Sequence, residues 1–432
     1  DLAEAGSLYW MGGVHVTFDT LVASVPVADS RFESYYEGRV TLDALGISLP
    51  PAARVLEMAA PFPKLAVDVL AEVLTPEGYL LGDDRDTPAL LRRWWQVNDM
   101  DTTVRLAITE ALVQGSAYFV IGEGTSDAPR ITAHPRRGMS VRRDHMGRVV
   151  EAVRQYGLPD ERHAAHYQAG QTDYYRRDGG RWVLVDTIRH GLSAPPVVPM
   201  VNMLRLGDVD GRSEIAEVAK LSDAASRSLT NLQVAQELLA MPTRYLFGEG
   251  LETLRDQAGN PVDKIAAYFG RFLTGPSDAK AGQIPGADLS QIINSYKLYA
   301  QSVSAITGIP PSMLGISTDN PSSAEAMKVA KERLISRAEV KQQLFGDALE
   351  EVARLSLEYM GREVDVATLE VQWRDPATPS ASSKAANMLQ AHAQGVIGPE
   401  TAREALSLTP EQKAREAASG DLMVQMRSQM GG

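Results

Sequence analysis

The sequence predicts an α+β fold, and three features carry that prediction. Apolar residues recur at helical spacing from 32 to 97 and again beyond 213. Between them, from 117 to 203, short segments alternate with period two, and a helical run starting near Ser323 continues without proline to Gly361. With 432 residues, 44% of them hydrophobic, the chain has room for about three domain-sized units and ample material for buried cores. Its formal charge of −12 argues against tight coating of nucleic acid, which rests on neutralising phosphates with Lys and Arg, so any contact with DNA should be loose or local. Without cysteine there is no disulfide, thiolate metal site or cysteine nucleophile, which suits a reducing cytoplasm. No apolar run reaches the roughly 18 residues of a membrane span. The first 25 residues lack a basic n-region and a clean cleavage site, so no signal peptide is expected and this start reads as frayed. No repeat of roughly 20 to 50 residues is visible, which removes solenoids and propellers.

In chain order, 32 to 97 is helix broken at Pro50-Pro51, Pro61 and Pro63, with KLAVDVLAEVLTPEGYLL giving an amphipathic helix and a strand-like end. Asp101 is placed to cap the next helix, which carries Val104, Ile108, Ala111 and Leu112 on one face and stops at Gly115. AYFVIGEG, RITAHP, VEAVRQYG, AAHYQAG, DYYRRDGG and RWVLVDTI, parted by Gly, Pro and Asp, read as antiparallel strands. APPVVPMVNM, with three prolines, reads as a crossing between modules rather than a central strand. Ile215, Val218, Leu221, Ala225, Leu229, Leu232 and Leu239 define a helix over 213–241, stopped by Pro242 and about 40 Å long. Residues 242–287, rich in Gly and Pro, read as a small compact insert. Asp288 opens a returning helix with Leu289, Ile292, Ile293, Tyr296, Tyr299, Val303 and Ile306 inward, ending at Gly308. Helix, insert and helix make a hairpin carrying a tip.

The stretch from 308 to 341 is the most informative. Pro310 and Pro311 fix φ and exclude helix, and Thr318, Asp319, Asn320, Pro321, Ser322 and Ser323 are turn or cap formers. Ser322 with Glu325 makes a capping box, so a helix starts near Ser323. Met327, Ala330, Leu334, Ala338, Phe345, Ala348, Val352, Leu355 and Tyr359 follow at helical spacing over roughly 50 Å. Lys328, Lys331, Arg333, Arg337 and Lys341 outnumber the acids of its first half, while Asp347, Glu350, Glu351 and Glu358 dominate the second. That order opposes the helix macrodipole and points to an external partner, a neighbouring acidic subunit or phosphate, with ordinary surface pairing as the alternative. Gly346 permits a kink. LEVQWRD is a strand able to rejoin the earlier sheet, and short helices with a mobile tail close the chain.

Catalytic motifs are lacking. No G-x-x-x-x-G-K-[ST], H-E-x-x-H or G-x-S-x-G occurs. His163 and His166, in a turn entering a strand, read as solvated histidines. Arg136, Arg137, Arg142, Arg143 and Arg148 around Asp144 read as the wet face and turns of a sheet, the alternative being a nucleic-acid or partner patch. No catalytic residue, metal ligand or cofactor is assigned, and no enzyme is expected.

The order of parts, and several phrases, resemble the portal proteins of tailed bacteriophages, in particular those of long non-contractile-tailed phages of Gram-positive hosts. The phrases are FESYYEG (32–38), WWQVND (94–99), GSAYFVIG (115–122), PPVVPMVN (195–202), GRSEI (211–215), MPTRYLFG (241–248), and TGIPPSMLG with TDNPSSAEAMK (307–328). The resemblance implies a portal fold. Residues 1–212 form a wing of helices and antiparallel sheet, 213–241 and 288–307 the stem helices, 242–287 the clip, 308–322 the tunnel loop, 323–380 a long kinked wing helix with a returning strand, and 381–432 a short helical crown. It further implies a dodecameric ring at one capsid vertex, assembled in the host cytoplasm. That ring passes double-stranded DNA and docks the terminase large subunit, the head-to-tail connector, and the major capsid and scaffold proteins, with no membrane. Ser317, Thr318, Asp319, Asn320, Ser322 and Ser323 would face the DNA, Lys328, Lys331 and Arg333 would make charge contacts to DNA or a neighbouring subunit, and Arg255, Lys264 and Arg271 would meet partners at the clip. A non-channel minor head or scaffold protein, and an enzyme acting on nucleic acid, are the competing readings.

Overall fold

The computed structural model describes residues 17–26, 30–41, 57–82, 84–158, 160–239, 244–247, 280–283, 289–316, 324–377, 381–396 and 398. Two short helices open it, α1 (Phe18–Ala23) and α2 (Arg31–Tyr36), the second capped by Ser30, whose hydroxyl accepts from the Glu33 N–H at 3.1 Å. Helix α3 (Phe62–Val73) carries Pro63 in its first turn, where the missing N–H is harmless, and runs into β1 (Pro76–Leu81), as the periodicity predicts. Helices α4 (Asp86–Val97) and α5 (Met100–Gln114) follow. Asp101 is not the cap of α5. Asp99 occupies that position, and the Asp101 carboxylate instead accepts the Trp95 indole N–H at 2.7 Å, which fixes α4 against α5.

The period-two region folds into two antiparallel sheets. Its strands are β2 (Ser116–Thr125), β3 (Ala128–Pro135), β4 (Met139–Arg143), β5 (Val149–Leu158), β6 (Glu161–Gln168), β7 (Gln171–Asp178), β8 (Arg181–Arg189) and β9 (Val197–Val201). One sheet has the order β3-β2-β9, and the other is the meander β4 to β8. The proline-rich segment is therefore a strand rather than a crossing. It is an edge strand, as a proline requires, with Pro199 opposite Tyr118. From Ser116 to Ile121, β2 is buried on both faces. Ala117, Phe119 and Ile121 enter the helical core, while Tyr118 and Val120 meet Met139, Ala152, Ala165 and Tyr167 of the meander. Part of the far face of the meander is covered by α1, whose Leu21 and Val22 pack on Val153 and Ala164. The described part of the chain start is thus packed rather than frayed.

Beyond the sheets, α6 (Ile215–Leu239) and α7 (Ser290–Thr307) pack as a hairpin, and β10 (Arg244–Phe247) pairs antiparallel with β11 (Lys280–Gln283) where the insert leaves and returns. Residues 248–279, and with them most of the expected insert, lie outside the described residues. Ala300 and Val303 of α7 are buried, but Ile293 is 41% exposed, contrary to its expected inward position. The core of α3, α6 and α7 residues reaches along α7 as far as Tyr296, which stacks on Phe62, and Ile293 lies beyond it. A 3-10 turn (Pro311–Leu314) precedes α8 (Ala324–Tyr359), which buries Leu334, Ala338, Phe345, Ala348, Val352 and Leu355 as the spacing predicts. Then come β12 (Leu369–Trp373) and α9 (Ala381–Ala393). β12 does not rejoin the large sheets. It pairs with β1, because the chain turns back along α8, where the Val371 N–H donates to Glu350 at 3.0 Å. Most of the expected crown lies outside the described residues.

The junction of α5, β9 and α6 depends on a backbone crossing. Asn202 N–H donates to the Gly115 carbonyl at 2.8 Å, and Gly211, at φ 85°, lies so close that an added Cβ would sit 1.9 Å from that oxygen. Gly211→Ala is expected to lower stability by more than about 1 kcal/mol in denaturant unfolding. Wild-type stability in this variant would show that the crossing is not tight.

Candidate functional site

The three long helices meet around one buried carboxylate. GRSEI places it: Gly211 makes the crossing, the Ser213 hydroxyl accepts the Ile215 N–H at 3.1 Å, and the Glu214 N–H donates to the Leu112 carbonyl at 2.9 Å. Glu214, just before α6, is 2% exposed, as is Lys341 in the middle of α8, and their ion pair spans 2.9 Å. Arg337, one turn earlier on α8, pairs with the other Glu214 oxygen and donates to the Ile306 carbonyl at 3.0 Å. Asn202, at the end of β9, completes the set. Its amide donates to the Arg212 carbonyl at 2.6 Å and to Glu214 at 3.1 Å, and its oxygen accepts from Lys341. Burial by itself raises the Glu214 carboxyl pKa, but the charges of Lys341 and Arg337, with hydrogen bonds from Lys341 and Asn202, outweigh it and hold the group below the usual carboxylate range.

The same face of α8 closes the end of α7. Arg333 donates to the Ala305 carbonyl and Arg337 to that of Ile306, so cations meet the last turn of a helix, where the macrodipole is negative. Gly308 ends α7 at φ 75°, and a Cβ there would lie 2.9 Å from Arg333 Cγ, so only glycine lets α8 approach this closely. Ser304 Oγ donates to the Ile309 carbonyl at 2.6 Å, and Ile309 and Leu314 join Val218, Ala225, Ala300 and Val303 in one core. The Pro-Pro corner is therefore rigidly seated against the hairpin. An extended segment before α3 is pinned to α6 by a hydroxyl ladder: Ser222 donates to the Ala60 carbonyl, while Ser226 and Thr230 accept the N–H groups of Ala60 and Met58 at 2.9 and 3.1 Å.

Of the residues singled out from the sequence, Ser317, Thr318, Asp319, Asn320, Ser322, Ser323, Arg255, Lys264 and Arg271 lie outside the described residues, as does the side chain of Lys328. Lys331 and Arg333 are exposed, and Arg333 is engaged with α7. Arg333, Arg337 and Lys341 of the basic first half of α8 thus find internal partners, in Glu214, Asn202 and the carbonyls of α7. His166 is not solvated. It is 5% exposed, 3.7 Å from Glu151 and 5.3 Å from the Phe18 ring, and burial pulls its pKa down. His163, at odd spacing on the same strand, stacks on Tyr156 at 5.5 Å. Among the described residues no group of three His, Asp or Glu could hold a metal ion. The arginine cluster is on strands and turns as expected, but much of it is engaged internally: Arg136 donates to the Gln114 and Asp210 carbonyls, and Arg142 pairs with Glu151 at 2.7 Å. No described helix is long and apolar enough to cross a membrane.

Residues 30–424 match the model of a family described as phage portal protein, SPP1 Gp6-like. The chain is 35% identical over 390 residues to the portal protein of Mycobacterium phage D29, covering 86% of this chain and 80% of that one. It is 34% identical over 389 residues, with the same coverage, to the portal protein of Mycobacterium phage L5. A chain from the neck of an empty gene transfer agent particle, computed with C6 symmetry, shares the fold at TM-score 0.51 and 14% identity over 81% of this chain and 90% of that chain.

Lys341→Met leaves a buried carboxylate short of its partner and is expected to cost about 3 to 5 kcal/mol in denaturant unfolding, much of it regained in Glu214→Leu/Lys341→Met. A double variant no better than the single would show that Glu214 is not desolvated there. Since the folded pKa of Glu214 is depressed, its contribution is present above the unfolded value and lost as pH falls through the folded one. Wild type should therefore lose more stability than Glu214→Gln on acidification below about pH 5, and parallel acid limbs would contradict this.

Proposed function

The chain belongs to the phage portal protein family, SPP1 Gp6-like, and from that premise we propose that copies of it close into a dodecameric ring whose bore passes double-stranded DNA at one vertex of the capsid. The observation that supports this reading best is the seating of the Pro-Pro corner. Ile309 and Leu314 are buried in the core of the α6–α7 hairpin, and α8 is clamped behind them by Arg333 and Arg337. Residues 317–323 connect this seated corner to the start of α8 at Ala324. In a ring, α6 and α7 surround the axis and this short loop is the constriction. Ser317, Thr318, Asp319, Asn320, Ser322 and Ser323 are its DNA-facing residues.

The chemistry suits passage rather than capture. A channel that moves DNA both ways must not grip phosphates, and this loop carries hydroxyls, an amide and a carboxylate, with no cation. Lys328, Lys331 and Arg333 stand behind it, where they can balance charge at the DNA or at a neighbouring copy. In a heterologous ring each subunit offers one face to the next. The insert carries Arg255, Lys264 and Arg271 as contacts for the terminase large subunit during packaging and for the head-to-tail connector afterwards, while the outer parts meet capsid and scaffold proteins. The role is structural rather than catalytic. The protein resides in the virion after assembly in the host cytoplasm.

Asp319→Trp and Asn320→Trp add bulk to the loop without touching the Glu214 cluster. Rings are expected to assemble normally, while particles package or retain several-fold less DNA, measured as protected genome per particle. Full packaging and retention with these variants would remove the loop from the constriction.

A further inference from the structure

A second feature lies between the two sheets. A cleft of about 310 Å³ has one wall on β2 and β3 and the other on the meander, with Tyr359 of α8 at its border. Several strands supply lining residues at i and i+2, so whole faces are turned into it: Thr132 and His134 on β3, Arg154 and Tyr156 on β5, Ala165 and Tyr167 on β6. In a two-sheet packing such inward faces are normally apolar, and polar groups there are unfavourable unless they meet partners. The register explains the hollow. Arg154 pairs with Ala165, and Ala165 with Tyr174, so a methyl group forms the floor between a guanidinium and a phenol.

Arg154 is half-buried, and among the described residues no carboxylate lies within 4.0 Å of it. It stacks over Tyr156 at 4.9 Å and lines the cleft together with the buried Tyr167. His134, held by Thr132 at 2.9 Å, is kept neutral by burial and by Arg154, with its pKa down at about 4. His190 on the same cleft has a buried Nδ1 without a hydrogen-bond partner among the described residues. The acids nearest this row are exposed: Asp186, opposite Tyr174 on the edge strand, and Glu123 at the border.

We propose that this cleft binds a small oxyanion, a carboxylate or a phosphate, with Arg154 as its charged anchor and the surrounding hydroxyl and imidazole N–H groups as donors. A cation in a partly desolvated site that lacks a counter-ion, ringed by neutral donors, is arranged to receive an anion through charge-assisted hydrogen bonds. The anion could be free in solution or the side chain of another polypeptide. Inorganic phosphate and glutarate, titrated separately into the full-length protein by calorimetry, distinguish these sources. Binding of phosphate alone marks a free phosphate site, and binding of glutarate alone marks a receptor for an acidic side chain.

Saturable binding of one anion at roughly millimolar concentration is expected, weakened at least about tenfold in Arg154→Gln and partly restored in Arg154→Lys. Tyr174→Phe, which removes only a hydroxyl, should weaken binding by a smaller factor with an unchanged circular dichroism spectrum, and it serves as the test if Arg154→Gln does not fold. Neither anion saturating, or folded variants binding as tightly as wild type, would overturn the proposal.

Discussion

A buried carboxylate is the point on which this architecture turns. Glu214 is almost wholly removed from water, and such a charge is tolerated only with close partners. Those partners come from separate parts of the chain: Lys341 and Arg337 from the long helix, Asn202 from the end of an edge strand. The ionic cluster therefore ties the sheet region, the first helix of the hairpin and the long helix at one place. A buried ion pair adds little net stability over an apolar contact of the same shape. What it supplies here is position, because Lys341 and Arg337 lose their partner if α8 shifts along α6 by a turn.

The cluster also accounts for the charge order of α8. Bases early in a helix work against its own dipole, yet Arg333 and Arg337 lie beside the end of α7, whose last carbonyls they satisfy. One helix's unfavourable charges are another helix's cap. The corner between α7 and α8 is held by the same contacts, with Gly308 allowing the close approach and Ile309 buried beneath. The chain therefore leaves this corner at Ile316 from a defined place.

Much of this was legible from residue patterns. Period two between 117 and 203, the hairpin helices and the buried face of α8 follow from spacing alone, since burial of apolar faces decides them. What spacing missed was set by long-range partners. Asp101 is a good cap residue, but the Trp95 indole claims it. The three prolines of APPVVPMVNM disguise an edge strand, and β12 joins β1 because the chain reversal after α8 brings it there. Lys341 could have been found: it lies seven residues after Leu334 and four before Phe345, a lysine within an apolar face, and such a lysine needs a buried acid. Which acid it meets is a tertiary fact. His166 was misjudged for the same reason, because the helix that covers it comes from the chain start.

The most direct measurement is an electron cryomicroscopy reconstruction of the purified, assembled protein. The account predicts a closed ring with α6 and α7 around the axis, the Glu214, Lys341 and Arg337 cluster intact in every subunit, and residues 317–323 at the smallest radius. A ring with those residues on its outer wall, or a protein that remains monomeric under all assembly conditions, would contradict it.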